Sequence, residues 1–231
     1  MSTEQPDLFG INQAAEARPS PEIYGRDTFI PFIPGVAHEE SFTHIENLAG
    51  LEVIVKECSK CPLRNSCQQV VFGEGKPDSK IMFIGEGPGK DEDIQGRPFV
   101  GRAGQLLNKI LQAAEMQRNQ VYITNVVKCR PPGNRLPGNE EVRLCRGYLE
   151  AQIRLIKPSI IVCLGSLASQ VVIDAKARIT KIRGKWLTRN GILIMATFHP
   201  AALLRNEGYK RPTWEDFKMI RDEYKKVTGM G

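Results

Sequence analysis

Residues 80–93, KIMFIGEGPGKDED, decide the fold. The apolar run Lys80 to Glu86 is short, and a glycine-rich turn, Gly85 to Asp93, ends it at once. A run of that length closed by glycines reads as a strand buried on both faces rather than as a helix. The residues beyond it then repeat at helical spacing: Ala103, Leu106, Leu107, Ile110, Leu111 and Ala114 form one apolar stripe. Strand, polar turn and amphipathic helix make the opening of a right-handed crossover unit.

The same alternation continues along the chain. Val121 to Val127 (VYITNVV) is β-branched and reads as a second strand, and a helix from Asn139 to Ile156 follows Pro137. Ser159 to Gly165 (SIIVCLG) and Gly191 to Phe198 (GILIMATF) are the third and fourth strands, and PTWEDFKMIRDEYKKV closes the chain as a helix. The expected fold is therefore α/β: a three-layer αβα arrangement around a central four-stranded parallel sheet. Ligands of such sheets bind outside the carboxyl ends of the strands. The stretches GEGPG, TN, LGS and FHP should accordingly converge on one edge.

The 231 residues suit one domain of roughly 180 residues plus an extension. Residues 1–45 are expected to be a flexible tail, with Pro6, Pro19, Pro21, Pro31 and Pro34 and no sustained period. Residues 46–231 are expected to form the domain. Within the tail, Asp27 to Gly35 (DTFIPFIPG) is apolar enough to lie along the domain surface. No run of about 18 apolar residues occurs, so no membrane span is expected. The N-terminus lacks the pattern of a secretory signal, which points to a cytoplasmic protein. A net charge of +6 is compatible with a polyanionic partner but does not establish one.

The glycine turn is not a nucleotide loop. Lys90 is followed by Asp91 rather than by serine or threonine, and an acidic run stands where a pyrophosphate would lie. Six cysteines in a reducing compartment argue for metal or catalysis rather than disulfides. Cys58 and Cys61 form a C-x-x-C pair, Cys129 follows the second strand, and Cys145 comes after fifteen intervening residues. That spacing suits a four-thiolate site and does not choose between zinc and iron–sulfur. Cys163, inside IIVCLG, reads as an inert core thiol.

Taken together, CSKCPL, VVFGEG, GEGPGKDEDIQGRPFVGRAGQLLNKIL, TNVVKCRPPGNRLPGNEEV, IIVCLGSLA and FHPAALLR closely resemble the family 4 uracil-DNA glycosylases over about residues 50–228. The resemblance implies hydrolysis of the N-glycosidic bond of deoxyuridine in DNA, the first step of base-excision repair. It also implies a [4Fe-4S] cluster on Cys58, Cys61, Cys129 and Cys145, leaving Cys67 aside. Phe99 would stack on uracil, Asn125 would read its edge, and Gly85 and Gly87 would line it. His199 would donate to O2, and Glu86 would act beside C5 or on the water. Gly87 stands where the best-known members of the superfamily carry a water-orienting aspartate.

Lys181, Arg183 and Lys185 suit phosphates, and Leu203 or Leu204, with Arg205 beside them, suit the gap left by a flipped base. Two other readings share this fold: an iron–sulfur redox protein and a non-catalytic binder of uracil-containing DNA. Gln5, Leu8 and Phe9, in QPDLF, resemble the peptide with which bacterial repair proteins hold the β sliding clamp. The protein is expected to act as a monomer associated with the nucleoid.

Overall fold

The computed structural model describes residues 30–229. Its centre is a six-stranded sheet: β1 (Glu74–Gly75), β2 (Ile81–Gly85), β3 (Tyr122–Asn125), β4 (Ile160–Leu164), β5 (Trp186–Arg189) and β6 (Ile192–Thr197). The order is β1-β3-β2-β4-β6-β5. The inner four strands are parallel, as the sequence predicts. The chain moves outward from β2 to β3 and returns to β4 on the other side, so the switch point lies between β2 and β4.

Period two sorts the core into its layers. Met82, Ile84, Ile161, Cys163, Ile194 and Ala196 face one helical layer, with Leu51 and Val55 of α1 (Leu48–Lys56) and Leu149 and Ile153 of α5 (Asn139–Ile156). Ile81, Phe83, Ile160, Val162 and Met195 face the other, with Leu107 and Leu111 of α4 (Arg102–Ala113) and Phe217 and Ile220 of α9 (Lys210–Thr228). No helix among the described residues is long and apolar enough to cross a membrane.

Two features depart from the sequence reading. The sheet gains an antiparallel strand at each edge. β5 and β6 form a hairpin through Asn190 and Gly191, with φ of 47° and 73°. Asn-Gly is the residue pair that such a turn favours, so the missed strand carried a legible signal. The folded body also begins before residue 46. Phe32 and Ile33 are fully buried, and their N–H groups donate to the buried Glu150 carboxylate at 2.8 and 2.6 Å. Arg189 donates to the carbonyl of Phe32 at 3.1 Å. Phe32 and Ile33 thus seal a short strap before Gly35 into one helical layer.

Glu150→Ala should leave two buried amides unpaired and cost about 2 kcal/mol or more. Chemical denaturation checks this; an unchanged midpoint would mean that the strap is held by apolar packing alone.

Candidate active site and cysteine pocket

The glycine turn after β2 is followed by α3 (Lys90–Gln95), in whose acidic run Glu92 and Asp93 are buried while Asp91 stays exposed at the cleft. The Glu92 carboxylate accepts from the amides of Gly89, Val100 and Gly101 at 3.1, 2.9 and 2.8 Å. It thereby staples the turn to the segment carrying Phe99. Asp93 accepts from Gln68 and Gln69 at 2.8 and 3.3 Å. Phe99 itself has φ of 51°, a strained value for an aromatic residue. Arg118 holds it by donating to the carbonyls of Pro98 and Phe99 at 2.6 and 3.2 Å.

β2 and β3 pair with Gly85 opposite Asn125. A Cβ at Gly85 would come within 2.4 Å of Asn125 Oδ1 and 2.6 Å of Phe99 Cζ, so glycine is what admits both side chains. Asn125 is buried, and its Oδ1 has no hydrogen-bond partner. An orphaned acceptor of this kind costs stability unless a ligand answers it. A Cβ at Gly87 would meet Val127 Cγ2 at 2.7 Å, which leaves little room there for an aspartate.

His199 enters from the end of β6 as the N-cap of α8 (Pro200–Arg205). Pro200 keeps its predecessor extended, with ψ of 138°. The Ala201 amide donates to Nδ1 at 3.1 Å, which fixes that nitrogen as the acceptor and leaves the proton on Nε2. Burial, helped by the charge of Arg205, pushes the imidazole pKa down to about 4, so the ring is neutral near pH 7. Its centroid lies 5.5 Å from that of Phe99. Burial also raises the Glu86 pKa, and Arg205 partly offsets this.

One cleft of about 680 Å³ is lined by Glu86, Gly87, Phe99, Asn125, His199 and Arg205. The structure thus brings these six sequence-predicted residues together, with Gly85 directly behind them. Lys181 and Lys185 are exposed but do not line the cleft. Arg183 is half-buried, and Asp216 and the Pro212 carbonyl hold its guanidinium, so its charge already has a partner within the domain. Leu203 is 2% exposed and belongs to the core, whereas Leu204 is 43% exposed, so only Leu204 faces outward. Gln5, Leu8 and Phe9 lie outside the described residues.

A second pocket is lined by Cys58, Cys61, Cys129 and Cys145, together with Lys128 and Tyr148. Cys58 and Cys61 stand between α1 and α2 (Leu63–Ser66), Cys129 lies beyond β3, and Cys145 is on α5. Polar donors reach the sulfurs: the Lys60 amide to Cys58 at 3.5 Å, the Leu63 and Arg64 amides to Cys61, and the Lys128 amide to Cys145. Burial pushes the Cys145 thiol up to about 11, and burial with neighbouring thiols pushes Cys129 further. Cys67 lies beside Cys129 and hydrogen-bonds with it.

Sequence reasoning missed Lys128. Its ammonium is fully buried and donates to Thr124 Oγ1, the Asn125 carbonyl and Gln152 Oε1 at 2.7, 2.7 and 2.6 Å. A lysine between a valine and a cysteine carries no periodic signal that it will turn inward.

Residues 72–218 match the family described as the uracil DNA glycosylase superfamily. The type-4 uracil-DNA glycosylase of Thermotoga maritima is 48% identical over 178 residues, 74% of this chain and 92% of the relative. That of Sulfurisphaera tokodaii is 43% identical over 77% of this chain and 85% of its own length. A type-5 uracil-DNA glycosylase of Thermus thermophilus is more distant, 27% identical over 69% of this chain and 81% of its own length. With the matched residues spanning the whole sheet and every wall of the cleft, the chain belongs to the uracil-DNA glycosylase superfamily and, within it, to the type-4 enzymes.

Proposed function

We propose that this protein excises uracil from DNA by hydrolysing the N-glycosidic bond, leaving an abasic site. The observation that carries the reading is the orphaned Oδ1 of Asn125, buried at the floor of a cleft beside the Phe99 ring. A flipped uracil offers an N3–H to that acceptor and a flat face to Phe99. Cytosine has no hydrogen at N3 and would leave the acceptor unpaired. The membership of the type-4 enzymes supports the same substrate.

Bond cleavage places negative charge on the departing base and positive charge on the sugar. The neutral His199 donates from Nε2 toward uracil O2, where that charge gathers. A neutral donor suits this role because the proton is held and directed rather than given away. Glu86, at the mouth of the glycine turn, orients the attacking water, a task that Gly87 cannot perform. Arg205, exposed on the rim beside Glu86, meets the phosphates, and Leu204 fills the stack where the base has left.

The four pocket cysteines suit a [4Fe-4S] cluster: all four line one pocket, and an all-thiolate donor set is what such a cluster takes. Amide donors aimed at the sulfurs suit thiolates bound to metal. The cluster would supply cross-links between α1, the β3 exit and α5.

Asn125→Ala should lose roughly 3 kcal/mol of transition-state stabilisation, and His199→Ala about 10²-fold in single-turnover rate on a uracil-containing oligonucleotide. Wild-type rates in both variants would remove the assignment. Gly85→Ala should abolish most cleavage by displacing Asn125 and Phe99, yet keep the iron; retained activity would show the slot to be adaptable.

The pH profile separates the two acid–base candidates. His199, titrating at about 4, contributes no change between about pH 5 and 8. Glu86 has a raised pKa, so its carboxylate is lost as pH falls, before an ordinary carboxylate would be. An acid limb should therefore appear in the wild type and vanish in a slower Glu86→Gln variant. A limb that survives this change belongs to another group.

A further inference from the structure

Lys128 is the one fully buried ammonium among the described residues, and the reaction as proposed does not use it. Burying a lysine is expensive, and it is tolerated where every donor finds an acceptor. Here three acceptors within 2.7 Å match the three N–H bonds of the charged form. The two side-chain acceptors are held in turn. Thr124 Oγ1 donates to the Phe72 carbonyl at 2.8 Å. Gln152 Nε2 donates to the same carbonyl at 2.9 Å and to the Tyr122 hydroxyl at 3.1 Å.

The network has two ends. At one, Lys128 Nζ grips the main-chain carbonyl of Asn125, the residue whose orphaned Oδ1 faces the cleft. At the other, the Lys128 amide donates to Cys145, and Cys129 is the next residue in the chain. α5 completes the circuit, because Cys145, Tyr148 and Gln152 fall at i, i+3 and i+7 on one helical face. Tyr148 bonds to Cys58 while Gln152 bonds to Lys128. One lysine therefore touches both the wall of the cysteine pocket and the backbone of the base reader.

We propose that Lys128 is a positioning residue that fixes Asn125 against the cysteine pocket, so that the geometry of base reading is set from the metal side of the sheet. The inference rests on the reading of Asn125 as the residue that pairs with uracil. Main-chain displacement at Asn125 would swing its amide out of register with the base edge. Geometric misplacement of that kind lowers rate without removing the fold.

A double-mutant cycle tests this on the full chain. Single-turnover cleavage is measured for the wild type, Lys128→Met, Asn125→Ala and the double variant, with iron content and thermal melting recorded for each. Lys128→Met should keep the iron and slow cleavage at least about 10-fold, while slowing the Asn125→Ala background less than about 2-fold. Equal factors in both backgrounds, or no slowing at all, would overturn the inference while leaving Asn125 as the base reader. Loss of iron along with rate would also overturn it, since Lys128 would then serve the cysteine pocket alone. Wild-type cleavage by Asn125→Ala would instead overturn the base-reading assignment, and this inference with it. Should Lys128→Met not fold, Gln152→Met removes one of the three acceptors and carries the same cycle, with the same dependence on Asn125 expected.

Discussion

The missing side chain at Gly85 is the constraint on which the site depends. Parallel pairing of β2 and β3 sets Gly85 opposite Asn125, and the volume a Cβ would occupy is taken by the Asn125 amide and the Phe99 ring. Two residues from different segments can meet at one strand end only because the third contributes nothing but backbone. Gly165 repeats the device on β4, with φ of 92° and His199 Cβ 2.9 Å from where its own Cβ would stand. Gly104 does so once more beneath Phe99, whose carbonyl lies 1.9 Å from the corresponding point. Close backbone approach is thus the common means by which the cleft is assembled.

Buried polar groups provide the rest of the rigidity. Glu92, Glu150 and Asp216 all point inward: the first two accept main-chain amides, and the third holds Arg183 and the Thr197 hydroxyl. Each joins segments distant in sequence, and each would be costly to strand without its partners. Asn125 Oδ1 is the exception in the cleft, and that contrast gives it functional weight. Arg146 also leaves a buried Nε unanswered, but its other nitrogens are bonded to the carbonyls of Pro34 and Gly35.

Much of this was legible in the sequence. The inner strands were, because a parallel sheet buried on both faces leaves continuous apolar runs such as IIVCL. Helix α5 was readable to its boundaries from Pro137 and the early glutamates. The edge strands were not, since β1 has two residues and β5 is half-exposed on every position. The cleft residues were identified through family resemblance joined to the strand-end rule, not through spacing alone. What stayed hidden was direction: the sequence names the cations KIRGK but cannot say that Arg183 turns inward to Asp216 while Lys181 and Lys185 stay out. The same holds for Leu203 and Leu204, adjacent residues that a short helix sends to opposite environments. Lys128 was invisible for the same reason, because its burial depends on acceptors that only tertiary structure brings together.

The two edge strands bear on how the molecule behaves in company. A parallel sheet exposed at its flanks offers a row of unpaired amides to any similar chain. Here one flank ends in a two-residue strand whose Glu74 is clamped by Arg97 and Arg118. The other is a hairpin whose Arg189 folds back onto the carbonyls of Val172, Ile173 and Phe32. Neither flank presents a flat, open ladder. At β1 the two-residue strand leaves little backbone for edge-to-edge pairing with another copy.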